Sequence, residues 1–280
     1  MQTRFHKLTG ALPSERARRA AVDLAQCLRF YSRLPVPALP WEADPHELPD
    51  LRRMARVVPL AGVLIGTGPA LVLALALWLE FGPWLAAALC ISALTLSTGA
   101  FHEDGLADTA DGFWGGATPE RRLAIMKDSL IGSYGASALI LAFALRIGAL
   151  ATLADRLHPL EAAMVVIVAA SVSRTAGLMP LALLPAARQD GASHAVGQPS
   201  AEGLRIASVL AIIVALVLGF ASAWPPAGIA LMLVLAALAA STLTRLSARL
   251  IGGQTGDVAG AVQQLAEVAA MIGLLITVEP

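Results

Sequence analysis

Charge is scarce in this chain. Asp, Glu, Lys and Arg make up only 14% of its 280 residues, against about 25% in an average soluble domain. Aromatic residues are scarce as well, at 5%, while 57% of the residues are hydrophobic and the mean hydropathy is positive. This argues against a water-soluble globular domain and for Ala/Leu/Val-rich helices in lipid. The formal charges cancel, so the electrostatic footprint of a nucleic-acid binder is missing. Only two cysteines occur, Cys27 in a polar, helical-looking segment and Cys90 in an apolar run; they form neither a disulfide framework nor a CxxC metal site. The first twenty residues are charged throughout and have no apolar core, so no cleaved signal peptide is expected. No internal repeat stands out. The simplest organisation is one membrane-embedded domain over 1–280, with a cytoplasmic or interfacial segment at 1–56 and a transmembrane bundle at 57–280.

What the chain has in abundance is apolar runs. A span needs roughly 20 apolar residues, and seven runs qualify, at about 57–81, 84–101, 134–153, 160–184, 206–223, 227–246 and 261–278. The last is the weakest, since it carries Gln263, Gln264 and Glu267. The fold expected is all-α, a polytopic bundle of about seven transmembrane helices. Ten of the twenty Lys and Arg residues precede residue 57, and the breaks at 102–133, 185–205 and 247–260 hold most of the others. The opposite turns hold only Arg156. By the positive-inside rule the amino terminus and these three breaks face the cytoplasm. Residues 14–34 read as a helix capped by Ser14, with Val22, Ala25, Leu28 and Phe30 on its apolar side. It lies along the interface or docks on the bundle.

Against this apolar background, "FHEDGLADTADGFWGG" at 101–116 is conspicuous for Glu103, Asp104, Asp108 and Asp111. On a helix, Asp104, Asp108 and Asp111 share one face. Like charges so close repel unless a cation lies among them, and carboxylate oxygens suit Mg²⁺ or Mn²⁺ shared with substrate phosphates. A solvated helix end is the plainer explanation, and spacing alone does not separate an enzyme from an ion carrier. His102 borders the cluster as a base or supporting group, or as an ordinary interfacial histidine. Arg174, in "AASVSRTAGLM", is costly within a span and calls for an anion, the favoured reading, or for a structural helix-to-helix pair. Arg146, in "FALRIGA", is undecided between the same role and a helix-to-helix pair. "GGQTGD" at 252–257 is either a turn ending a helix or a nest of backbone amides for phosphate.

The stretches "FYSRLPVP" (30–37), "PLAGVLIG" (59–66), "FHEDGLADTADG" (101–112), "RLAIMKDSLIGSYG" (122–135), "VSR" (172–174) and "GGQTGD" (252–257) occur in this order. Together they make the chain resemble the adenosylcobinamide-GDP ribazoletransferase family, also called cobalamin-5′-phosphate synthase. The resemblance implies an integral membrane transferase late in cobalamin biosynthesis, in the bacterial inner membrane, with its site on the cytoplasmic face. Such an enzyme joins α-ribazole, or its 5′-phosphate, to adenosylcobinamide-GDP and releases GMP, with Mg²⁺ as cofactor. It implies catalytic roles for Asp104, Asp108, Asp111 and His102. The metal ligands would be Asp104, Asp108 and Asp111, with Asp128, Asp257 and Glu103 as further candidates. Arg174, Lys127, Gly253 and Thr255 would bind substrate. The partners are these small molecules and the bilayer, with a homo-oligomer allowed and no nucleic acid. Two alternatives stay open: a CDP-alcohol phosphotransferase-like lipid enzyme, and a cation-coupled carrier.

Overall fold

The structure is a computed structural model and describes residues 14–45, 47–188 and 196–279. Among these residues the fold is helical. The chain runs through α1 (Glu15–Tyr31), α2 (Leu51–Met54), a 3₁₀ turn (Ala55–Val57), α3 (Val58–Trp78), α4 (Pro83–Thr98), α5 (Phe101–Gly115) and α6 (Pro119–Ile125). It continues through α7 (Ser133–Arg156), α8 (Pro159–Leu183), α9 (Ala201–Ala221), α10 (Pro226–Ile251) and α11 (Gly256–Leu275).

Six helical stretches are long and apolar enough to cross a membrane: Leu51–Trp78, α7, α8, α9, α10 and α11. A seventh crossing is allowed only if α4 and α5 count as one unit. That pair is bent by 89°, the geometry of a broken or re-entrant span. Seven apolar runs thus correspond to six long helices plus one bent pair, a polytopic membrane protein.

α8 is the axis of the bundle. Its apolar window is 83% buried, and it packs against α3, α9, α10 and α11. α3 brings Gly62 and Gly66 against the backbone of α8 near Ala170, the small-residue contact by which membrane helices approach closely. α11, which looked weakest in sequence, is in fact 72% buried and packs on α5, α7, α8 and α10. Its Gln263, Gln264 and Glu267 face protein rather than lipid, where polar side chains find partners.

Two boundaries differ from the sequence expectation. The break expected at 247–260 shrinks to a few residues, because α10 continues to Ile251 and α11 begins at Gly256. Gly252 ends α10 in the left-handed region at φ 70°, and the Thr255 hydroxyl caps α11 by accepting the Val258 N–H at 3.2 Å. At the other end of the chain, Ser14 caps α1 by accepting the Ala17 N–H. Ala25 and Leu28 of α1 are buried, along with Cys27 and Tyr31, and α1 docks on α2 and α3.

Candidate active site

The bend between α4 and α5 sets up the site. Gly99 and Ala100 are both left-handed, at φ 65° and 57°. For alanine this conformation costs about 1–2 kcal/mol. It is held from both sides: the Ala100 N–H donates to the Thr95 carbonyl and the Ala100 carbonyl accepts the Asp104 N–H, each at 2.9 Å. Leaving α4 at 89°, α5 lies against the start of α11. There Gly105 meets the Asp257 backbone so closely that a Cβ would sit 2.8 Å from the Asp257 carbonyl oxygen. Asp104 and Asp257, 153 positions apart in the chain, therefore share one cleft.

That cleft lies between α1, α5, α8 and α11, and encloses about 720 Å³ including its open mouth. Asp104, Asp257, Arg174, His102 and Gln263 are the polar side chains that decide its chemistry. Asp104 is exposed, and Asp257 is half-buried. The Asp257 carboxylate accepts from Arg188 Nη2 at 3.1 Å. Arg174 is 3% exposed. One of its terminal nitrogens donates to the Ala170 carbonyl at 3.1 Å, while its Nε is buried without a partner. A buried guanidinium with an unused donor at a cleft wall is suited to an anionic ligand. Arg188 also keeps Nε and Nη1 unpartnered.

Asp108 is half-buried one turn beyond Asp104. It feels the like charges of Asp104, Asp257 and Asp111, offset in part by Arg188. It shares a second, shallower groove with Glu103 and Asp104. Asp104 thus stands between the cleft and this groove.

Asp111 and Glu103 point elsewhere. Asp111 is buried, and its two carboxylate oxygens accept the N–H groups of Gly132 and Gly135 at 2.7 and 2.9 Å. It anchors the first turn of α7, where backbone N–H groups lack helical partners and the helix dipole favours an anion. The glycines of "SLIGSYG" fit this clamp, since a Cβ on either would collide with the Asp111 carboxylate. Glu103 is buried and bonds Arg146 at 2.9 Å. Arg146, 1% exposed, also bonds Glu267 Oε1 through Nε at 2.9 Å and Nη2 at 2.8 Å, and Gln264 at 3.1 Å. Gln263 extends the network by donating to Ser173 and Glu267 at 2.9 and 2.7 Å. Of the two roles open for Arg146, the helix-to-helix pair is the one formed: it ties α5, α7 and α11 together.

The remaining expected residues lie outside the cleft wall. Lys127 and Asp128 are exposed on the segment after α6. Asp128 accepts the Leu130 N–H and lines a surface groove with Asp111. Gly253 and Thr255 are buried. The strand-like contact of Ala186 with Gln254 uses the Gln254 N–H, which donates to the Pro185 carbonyl at 2.9 Å. The end of the "GGQTGD" motif that does reach the cleft is Gly256–Asp257.

Sequence reading missed three participants. Tyr31 stacks on His102 with ring centroids 5.8 Å apart and planes 6° from parallel; His102 is buried beneath it. Gln263 lines the cleft, and its signal was its cost in an apolar helix. Arg188 reaches Asp257, and no local pattern marks that pairing.

A bundle of six to seven apolar spans, with a cleft of carboxylates and a buried arginine cut between its helices, defines a polytopic membrane protein built around a polar site. The comparisons narrow that class. A model of the cobalamin-5-phosphate synthase family matches residues 23–275, and the chain belongs to that family. An adenosylcobinamide-GDP ribazoletransferase of Azorhizobium caulinodans is 51% identical over 94% of this chain and 98% of its own. Proteins of the same description from Xanthobacter autotrophicus and Rhizobium etli are 50% and 42% identical, over 92% and 91% of this chain and 97% and 96% of theirs. No solved structure matches.

Proposed function

We propose that this protein joins α-ribazole, or its 5′-phosphate, to adenosylcobinamide-GDP with release of GMP; its relatives are described as adenosylcobinamide-GDP ribazoletransferases. The observation that carries the reading is the cleft itself. It pairs a buried, partly unpartnered Arg174 with the carboxylates of Asp104 and Asp257, in a chain that matches the family over residues 23–275. That match gives no support to a lipid-headgroup enzyme or a carrier.

In the reaction a ribose hydroxyl attacks the phosphorus attached to cobinamide. A new P–O bond forms, the bond to the GMP oxygen breaks, and GMP leaves as a phosphate monoester. Such transfers need positioning and charge neutralisation more than covalent catalysis. Arg174 grips the diphosphate, with Arg188 as a second cation beside Asp257. The hydroxyl proton passes to one of the cleft carboxylates. His102, closed in by Tyr31, shapes the wall. Asp111 holds α7 in place, and Glu103 holds α5 through Arg146.

Among the described residues no three His, Cys, Asp or Glu side chains gather tightly enough to hold a metal alone. Asp104 with either Asp257 in the cleft or Asp108 in the adjoining groove would nonetheless suit Mg²⁺, which commonly takes one or two carboxylates and fills its shell with water and phosphate oxygens. Bound there, it would supply charge neutralisation to the diphosphate and its leaving group. In this reading the protein resides in the inner membrane with the cleft toward the cytoplasm, as the Lys/Arg bias of the chain favours.

The test uses purified protein in lipid nanodiscs. Adenosylcobinamide-GDP and α-ribazole together should yield GMP, and chelation of Mg²⁺ should stop it. CMP release from CDP-activated lipids, or cation flux without turnover, would replace this reading.

A further inference from the structure

At the aromatic end of the cleft, only His102 and Tyr31 enter the reading above, as wall. This end is built by the "FYSRLPVP" segment, whose Phe30 and Tyr31 end α1 and meet Phe101 and His102 at the start of α5. Phe101 packs edge-on against Phe30, Tyr31 and His102, with centroids 5.5, 6.1 and 5.3 Å away. Tyr31 and His102 are buried in this cluster, whereas Phe30 is half-buried and Phe101 is 43% exposed. Leu51, Leu181 and Val196 complete this end of the wall.

The polarity of the cleft follows from helix geometry. Phe101 and Asp104 are three residues apart on α5 and share a face. Their axial offset is about 4.5 Å, roughly the reach of a ribose. A ligand lying on this face therefore meets aromatic rings at one end and Asp104 with Arg174 at the other. Base, ribose and phosphoryl group, in that order, have this character. Two bases enter the reaction. Guanine carries a hydrogen-bonding edge that needs several partners; the exposed Phe101 and half-buried Phe30 offer none, and the polar Tyr31 and His102 are buried and stacked on each other. A benzimidazole-class base lacks that edge and gains its binding from stacking and apolar contact.

Building on the activity proposed above, we propose that the Phe30–Phe101 end of the cleft is the subsite for the heteroaromatic base of the nucleoside acceptor. The ring stacks on the open face of Phe101, and its ribose points at Asp104 and Arg174.

The test compares wild type, Phe101→Leu and Phe101→Trp in nanodiscs, by equilibrium binding of radiolabelled α-ribazole and by GMP-release kinetics. Leucine keeps apolar bulk at a partly exposed position but removes the ring. It should weaken α-ribazole binding and raise its KM about tenfold, the typical loss of one stacked base. The KM for adenosylcobinamide-GDP should stay near the wild-type value, and Phe101→Trp should retain tight α-ribazole binding. Unchanged α-ribazole binding and KM in Phe101→Leu would overturn the subsite; so would a larger rise in the KM for adenosylcobinamide-GDP, which would put guanine or the corrinoid there. Saturable α-ribazole binding lost in Phe101→Leu, without any GMP release by wild type, would refute the activity and keep the subsite. GMP release with an unaltered α-ribazole KM in Phe101→Leu would do the reverse. A wild type that neither binds α-ribazole nor releases GMP, as with a lipid chain filling the slot, would overturn both.

Discussion

Arg146→Met should be among the most destabilising single substitutions in the bundle. Arg146 is 1% exposed at the side chain, and its partners Glu267 and Glu103 are 1% and 6% exposed. Solvent screening, which makes surface pairs nearly worthless, is therefore absent. Removing the guanidinium leaves two buried carboxylates facing each other without a cation and strips a donor from Gln264. Breaking a buried pair by deleting one partner typically costs about 3–5 kcal/mol; the donors that remain, such as Gln263 on Glu267 and Thr95 on Glu103, are neutral. The fully neutral combination, Arg146→Met with Glu103→Gln and Glu267→Gln, should recover most of the loss, because buried ion pairs can often be exchanged for neutral groups. Glu103→Gln alone should be milder, since Arg146 keeps Glu267. Denaturant unfolding of detergent-purified protein, followed by far-UV circular dichroism, measures all three. Wild-type stability of Arg146→Met would refute the network as the tie between α5, α7 and α11. A triple variant no better than the single would refute the charge argument.

Three further outcomes follow from individual contacts. Asp111→Asn keeps one acceptor oxygen and turns an NH2, which cannot accept, toward the other of the Gly132 and Gly135 amides; it should lower unfolding stability by about 1.5–3 kcal/mol, and full stability with lost turnover would return Asp111 to the reacting centre. Gly105→Ala puts a Cβ 2.8 Å from the Asp257 carbonyl oxygen and should cost about 1–3 kcal/mol of stability through overpacking, with a lower kcat as α5 and α11 part; unchanged unfolding and kcat would show that the helices separate freely. Arg174→Leu should insert normally and nearly abolish turnover, while Arg174→Lys keeps the charge, loses the planar fork and should raise the KM for adenosylcobinamide-GDP more than that for α-ribazole; lowered yield with normal KM values would make Arg174 structural.

The spans were legible because their cause is local: continuous apolar runs between Gly, Pro and charged breaks. So were the helix carrying the aspartates and the placement of Asp257 with Asp104, the latter through charge bias and the family resemblance. The 89° bend was not. It depends on a left-handed alanine after a left-handed glycine, and Ala100 carries no local sign of that conformation. Asp111 shares the spacing of Asp104 and Asp108, so sequence could not separate it from them. Its role is decided by where the first turn of α7 comes to rest. Arg146 and its acidic partners come from three distant segments, each readable alone only as an expensive polar residue in an apolar helix. Their pairing is a property of the packed bundle.

The proposed transfer rests on the cleft of Asp104, Asp257 and Arg174. Its most direct test is GMP release by purified Asp104→Asn and Asp257→Asn variants, assayed beside wild type with both substrates and Mg²⁺ saturating, with size-exclusion profiles showing that each variant is folded. The account predicts that both variants elute as wild type does and lose about a hundredfold or more in turnover, the usual scale for removing an electrostatic group from a reacting centre. Wild-type rates of GMP release from either folded variant would contradict it.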